Sequence, residues 1–297
     1  MLQWCGAARA GPRARSRGLC SGRAGVVCAG SRRFVAKFED ELMKIAVVSD
    51  LHLAPDGVNR CTATPAELLH LFETIQASAD RVVLAGDLFD LDRPRMLGGW
   101  RAQLAQLYRE QPELLERMEA FEWLVGNHDA ALCRRAVPQE RCVLADGLRV
   151  LIRHGHQWDM PLKKMPALAP SANFVAGWLQ RADLQGAASA LGRAPLVFDR
   201  MLNRNKKGGR DRLLEGAQAL LVEEGWDVVV CGHSHDLRLV AGEHGLFVNT
   251  GSVCEGTIDW ALIDTDAAAP SVTLMRDGQL HERAEKLAGR WQLLSAT

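Results

Sequence analysis

The sequence predicts an α/β protein whose core is built from two packed sheets. Two observations point there. Apolar, strand-like runs alternate with amphipathic helical stretches in the first half of the chain, and strands then follow one another directly. In addition, five polar clusters each sit just after a strand-like run, and α/β sheets collect their binding residues at that end of their strands.

Taken in order, "IAVVSD" from Ile45 is a strand that ends in polar residues. "TPAELLHLFETIQAS" has Pro65 near its start and apolar residues at helical spacing, so it reads as a helix. "RVVLAGDLFD" is strand then loop, and "GGWRAQLAQLYREQPELLERMEA" is helical with an interruption near Pro112. "FEWLVGNHDAAL" and "RVLIRHGHQWD" are each strand then loop. "DRLLEGAQALLVEEG" is a helix closed by Gly225, and "WDVVVCGHSH" is again strand then loop. Strands follow in "RLVAGEHGLFVNTGS", "TIDWALIDTD" and "SVTLMRDG", with turns at Gly242 to Gly245 and at Asp277-Gly278. The stretch from His281 reads as a short helix or tail.

Two segments break this rhythm. Residues 1–42 are rich in Arg, Gly and Ala, with no acidic residue before Glu39. They lack the apolar core of a secretory signal. They are expected to be disordered or to come from a misassigned start, with an Arg-rich transit peptide as the alternative. Residues 160–209 are expected to form a mainly helical insertion. It holds a basic run (Arg204, Lys206, Lys207, Arg210) and an apolar group (Phe174, Val175, Trp178, Leu179). The expected organisation is therefore an extension over 1–42, a domain over 43–280 that includes the insertion, and a tail over 281–297.

Composition narrows the function. Of the 297 residues 47% are hydrophobic and 24% charged, as in ordinary globular domains. The formal net charge of +0 and the lack of a basic stripe argue against a nucleic-acid partner. No stretch reaches the roughly 18 apolar residues of a membrane span. The eight cysteines form no C-x-x-C pair, which fits reduced thiols in the cytoplasm better than a disulfide framework or a zinc cage.

The five clusters are Asp50-x-His52, Gly86-Asp87-x-x-Asp90, Gly126-Asn127-His128-Asp129, His154-Gly155 and Gly232-His233-x-His235. Each alone is an unremarkable polar turn. Together they supply oxygen and nitrogen donors and no sulfur, a set suited to manganese, iron or zinc. Residues i and i+2 share a face of an extended chain, which would aim Asp50 and His52 the same way. Glycine beside the donors allows sharp turns, so that several loops can converge.

In this order the clusters resemble the D-x-H, G-D-x-x-D, G-N-H-D, H-G and G-H-x-H motifs of the calcineurin-like metallophosphoesterase superfamily, over residues 44 to 260. The resemblance implies a two-sheet β-sandwich flanked by helices, with the insertion as a helical cap. It implies two divalent metal ions, manganese first and iron or zinc as alternatives. Asp50, His52, Asp87 and His235 would hold one ion. Asp87, Asn127, His154 and His233 would hold the other, with Asp87 bridging and His154 favoured over His156. His128 would act beside the phosphate and Asp90 would orient it. Asp92, Asp129 and Asp159 would support rather than ligate. The implied activity is hydrolysis of a phosphoester or pyrophosphate by a hydroxide shared between the metals.

The layout around the insertion and "VNTGS" is similar to UDP-2,3-diacylglucosamine hydrolases, although His128 stands where those enzymes carry Arg. The alternatives are that activity or a non-catalytic scaffold of the same fold. The expected partner is a small phosphorylated substrate, with peripheral membrane contact left open.

Overall fold

The computed structural model describes residues 42–55, 61–92, 99–145, 147–158, 211–266 and 268–294. The chain runs β1 (Lys44–Val48), α1 (Pro65–Ser78), β2 (Arg81–Ala85), α2 (Gly99–Glu110), α3 (Pro112–Glu119), β3 (Glu122–Leu124), β4 (Glu140–Ala145) and β5 (Leu148–Arg153). It continues through α4 (Arg212–Glu223), β6 (Val228–Cys231), β7 (Arg238–Ala241), β8 (Leu246–Asn249), β9 (Asp259–Asp264), β10 (Ser271–Arg276), β11 (Gln279–Leu287) and β12 (Arg290–Leu294). Short 3₁₀ turns occupy Ala130–Arg135 and His156–Trp158.

The strands form a seven-stranded sheet, β12-β11-β10-β9-β1-β2-β3, and a five-stranded sheet, β4-β5-β6-β8-β7. Strand alternation explains how they pack. In β1, Ile45 and Val47 point into the cluster between the sheets, where they meet Val150, Ile152, Val228, Val230 and Val248 of the other sheet. Ala46 and Val48 point the opposite way, into a cluster with Phe72 and Ile75 of α1 and Leu104, Leu115 and Met118 of α2 and α3. In the second sheet Leu151, Val229 and Phe247 pack outward against Ala217 and Leu221 of α4. Strands covered on both faces read as continuous apolar runs, which is why "KIAVV" and "VVVC" carry no alternation.

Local chemistry sets the helix ends. Thr64 caps α1 by accepting from the Glu67 amide at 3.2 Å, while Glu67 accepts from the Thr64 amide at 2.7 Å, and Pro65 opens the first turn. The break at Pro112 separates α2 from α3.

One expectation fails here. The stretch from His281 is neither helix nor tail: β11 and β12 pair antiparallel and extend the larger sheet. Only Ala284 in β11 and Trp291 in β12 are buried, so the sequence carries too few apolar positions to show a period of two. β4 escaped the reading for the same reason, since four of its six residues are half-buried. The expected insertion over 160–209 and nearly all of the expected N-terminal extension lie outside the described residues.

β1, β2 and β3 are mutually parallel, and so are β5, β6 and β8. The carboxyl ends of each set therefore lie at one edge of its sheet, and the polar clusters follow those ends.

Candidate metal centre

The loops after β1 and β2 pair beyond their strands. The Asp50 amide donates to Gly86 O at 3.1 Å and the His52 amide to Asp87 O at 2.9 Å. Gly232 N likewise donates to His154 O at 3.0 Å, and Thr250 N to Cys231 O at 2.8 Å. These bonds hold an unusual backbone. Asp50, His52, Asp87, His233 and His235 all have positive φ, between 51° and 69°. Non-glycine residues adopt this region at a cost of about 1–3 kcal/mol each, and such strain gathers at functional sites. Asp50 and His52 therefore converge through two left-handed residues, not by sharing a face of an extended strand. Gly86 and Gly155 turn the chain as expected, with φ of 92° and 111°, whereas Gly126 and Gly232 serve differently. A Cβ on Gly126 would lie 2.0 Å from Asp87 Oδ1, and one on Gly232 would lie 2.3 Å from Asp50 Oδ2. At both positions glycine is needed for its size.

The side chains meet in a small buried volume. Asp50 Oδ2 accepts from Ser49 Oγ at 2.5 Å and from the His233 amide at 2.9 Å, and Ser49 Oγ is itself 2.8 Å from Thr250 Oγ1. This leaves Asp50 Oδ1 facing inward, 3.2 Å from His235 Nε2, 3.8 Å from His52 Nε2 and 4.0 Å from His154 Nε2. Asp87 is divided the same way. Its Oδ1 accepts from the His128 amide at 2.8 Å, while Oδ2 lies 3.1 Å from His154 Nε2 and 3.9 Å from His52 Nε2. His154 Nε2 is also 3.2 Å from Asn127 Oδ1, and its Nδ1 is 3.1 Å from the carbonyl of Ala85. Donor atoms of Asp87, His154 and His233 lie within 4.8 Å of one another. His156 sits in the adjoining 3₁₀ turn, its ring 5.5 Å from that of His154 and 6.5 Å from that of His233.

The charges are interlocked. Burial is the strongest influence on Asp50 and opposes its charge, yet His154 and His235 hold the carboxyl well below the usual range. Burial likewise opposes the charge on Asp87, and His154 and His128 override it. Burial pulls His52 and His154 down, but Asp90 beside the first and Asp87 and Asp50 beside the second push both up to about 9. His235 is held well above the imidazole range against burial, chiefly by Asp50.

Several of the pairings had no signature in the sequence. His52 Nδ1 bonds Asp90 Oδ1 at 2.7 Å, so Asp90 serves His52 at least as closely as it serves His128, which lies at 3.2 Å. His128 Nδ1 is also 3.1 Å from Asp92 Oδ1. Asp129 ties two loops together by accepting from the Leu88 amide at 2.8 Å and the Gly126 amide at 2.6 Å. Gln103 of α2 donates to the Asp90 carbonyl at 2.6 Å. These contacts depend on which loops are neighbours, and no local spacing encodes that.

The donor set fits metal ions. Asp50 Oδ1 and His52 Nε2 are buried and make no hydrogen bond among the described residues. Buried polar atoms rarely go unpaired, and a cation between them would satisfy both. The fold and these donors define the class: a two-sheet α/β protein with a candidate metal centre of carboxylates and imidazoles at its strand ends. The chain belongs to the calcineurin-like phosphoesterase family, whose sequence model matches residues 43–237. No curated protein matches it.

Solved structures similar to it include a conserved uncharacterized protein, a predicted phosphoesterase, from Streptococcus pneumoniae TIGR4, at 16% identity and TM-score 0.42 over 86% of this chain and 99% of that one. Yfce, a phosphoesterase from E. coli, matches at 17% identity and TM-score 0.41 over 81% and 98%. Wild-type Vps29 from Entamoeba histolytica, complexed with Zn²⁺, matches at 13% identity and TM-score 0.42 over 85% and 97%.

Proposed function

We propose that this chain is a dinuclear metal-dependent phosphohydrolase that cleaves a phosphoester or pyrophosphate bond in a small phosphorylated substrate. The observation that carries the proposal is the position of Asp87 Oδ2, between His154 Nε2 at 3.1 Å and His52 Nε2 at 3.9 Å. One carboxylate oxygen thus faces both groups of donors. In our reading Asp50, His52, Asp87 and His235 hold the first ion, and Asp87, Asn127, His154 and His233 the second. Manganese is the native metal we propose, on the mixed oxygen and nitrogen donors. Two such ions would supply Lewis-acid charge neutralisation and lower the pKa of water enough to make hydroxide available near neutral pH.

The chain's own groups do the rest. Asp50 is limited to one inward oxygen by Ser49 and the His233 amide. Asp90 fixes His52 through Nδ1, which leaves Nε2 for the ion. In the metal-free chain His128 is held well above the ordinary imidazole range against burial, chiefly by Asp92 and Asp87, which favours its protonated form. We assign that proton to the leaving oxygen or to the charge building on phosphate, with Asp90 and Asp92 orienting the ring. We place the activity in the cytoplasm because the five described cysteines are all free thiols. Among the described residues no helix is long and apolar enough to cross a membrane.

The test is metal content by elemental analysis together with turnover of a bis-aryl phosphate and a panel of nucleotides and phosphomonoesters. Two ions per chain and manganese-dependent turnover are expected. A fully loaded protein that hydrolyses nothing on the panel would sink the proposal in favour of a scaffold.

A further inference from the structure

The loop after β8 carries a residue that none of the five motifs contains. Glu255 Oε1 lies 3.0 Å from His235 Nδ1, on the side of the ring opposite Nε2, which is 3.2 Å from Asp50 Oδ1. Cys254 Sγ is 3.7 Å from the same Nδ1. The loop is anchored on both sides: Val253 N donates to Asp50 O at 3.3 Å, and Gly256 N to Thr62 Oγ1 at 2.7 Å. From these contacts we infer that Glu255 is a positioning residue for the first metal, accepting the Nδ1 proton of His235 and so fixing the tautomer whose Nε2 lone pair faces Asp50.

The inference rests on the dinuclear reading above and adds to it the group that sets the basicity and aim of one ligand. An imidazole ligand binds through one nitrogen only if the other keeps the proton. A carboxylate on that proton raises the ligand's donor strength, and loss of such a partner lowers metal affinity by about 10–100-fold. His52 is held through its Nδ1 by Asp90 in the same manner, at 2.7 Å. The first site would then have two imidazoles, each backed by a carboxylate from a different loop. His154 of the second site faces a backbone carbonyl instead, at 3.1 Å. A structural role for Glu255 is the competing account. Its side chain is 55% exposed, so truncation removes little packing.

The deciding experiment is a manganese titration by calorimetry, with electron paramagnetic resonance counting single and paired ions, on wild type, Glu255→Ala and Glu255→Gln. Glu255→Ala should weaken one of the two ions by about 10–100-fold and leave the other unchanged. Glu255→Gln keeps an acceptor oxygen that fixes the tautomer but loses the charge that strengthens the ligand, so it should weaken that ion clearly less than Glu255→Ala does. The inference is overturned if the alanine variant binds both ions as wild type does, if both ions weaken equally, or if glutamine falls as far as alanine. A wild type that takes up no manganese overturns the dinuclear reading and this inference with it, whereas an unchanged alanine variant beside a two-metal wild type overturns this inference alone.

Discussion

Asp87 divides its two oxygens between backbone and site, one on the His128 amide and one toward His52 and His154. Asp87→Asn keeps the shape and removes the charge that two adjacent cations need between them. Both ions should be lost on dialysis and turnover abolished. Normal metal content with normal activity would show that Asp87 does not bridge. His128 makes a different demand: its ring touches Asp92 at 3.1 Å and Asp90 at 3.2 Å and stacks edge-on to His52. His128→Ala should lower kcat by roughly 10²–10⁴-fold, the range for a proton donor, with both ions retained. Loss of an ion in that variant would make His128 a ligand. At this scale the sequence is most informative, because the Asp, His and Asn residues it singles out at the ends of apolar runs are side chains that the structure brings together. It is silent on Glu255 and Gln103, which reach the site by tertiary neighbourhood and follow no local pattern.

The elements that carry the donors are loops, and what keeps them in place is a small set of side chain to backbone bonds. Asp129 is the clearest case: buried, and bonded at both oxygens to amides of two different loops. Burial, together with the nearby charge of Asp87, pushes its pKa up to about 7, and only the two amide bonds and His154 oppose this. Asp129→Ala would leave the Leu88 and Gly126 amides without their acceptor inside the protein. At 1–3 kcal/mol for such a loss, stability should fall by about 3 kcal/mol, which is a Tm drop of roughly 6–12 °C for a domain of this size. A melting point within a degree or two of wild type would show that water replaces the carboxylate. The strands that lead into these loops were legible because both their faces are covered and their sequences are apolar throughout. β4, β11 and β12 were not, since each buries one face or less and its charged residues mask the period. The left-handed conformation of five donor residues could not be read either, because nothing in the types Asp and His demands it.

Across the whole molecule, the site joins the two sheets, with Asp50, His52, Asp87 and Asn127 on one side and His154, His233 and His235 on the other. The ions proposed above would therefore act as a clasp between the sheets, and metal should contribute to global stability as well as to chemistry. The pH dependence of that contribution follows from the imidazoles. His52 and His154 have folded-state pKa values of about 9 in the metal-free chain, above the 6.5 of an unperturbed imidazole. A raised imidazole pKa stabilises the folded state fully below about 6.5, and that stabilisation is lost as pH rises through 9. Asp129, raised to about 7, loses its share earlier and with the same sign, between the ordinary carboxylate range and 7. The depressed carboxylates of Asp50 and Asp87 change only at acid pH, outside this window. Metal binding must expel the protons on His52 and His154, so apparent affinity should fall about tenfold per pH unit for each proton displaced below pH 9. The metal-loaded protein, with those protons already gone, should keep its stability as pH rises. Thermal denaturation of chelated and manganese-loaded protein from pH 6 to 9 should therefore give two melting curves that diverge: the chelated form loses stability with pH, and the gap to the loaded form widens. Chelated protein as stable at pH 9 as at pH 6 would mean that the carboxylates do not hold these imidazoles protonated, and the steep pH dependence of metal uptake would fall with that.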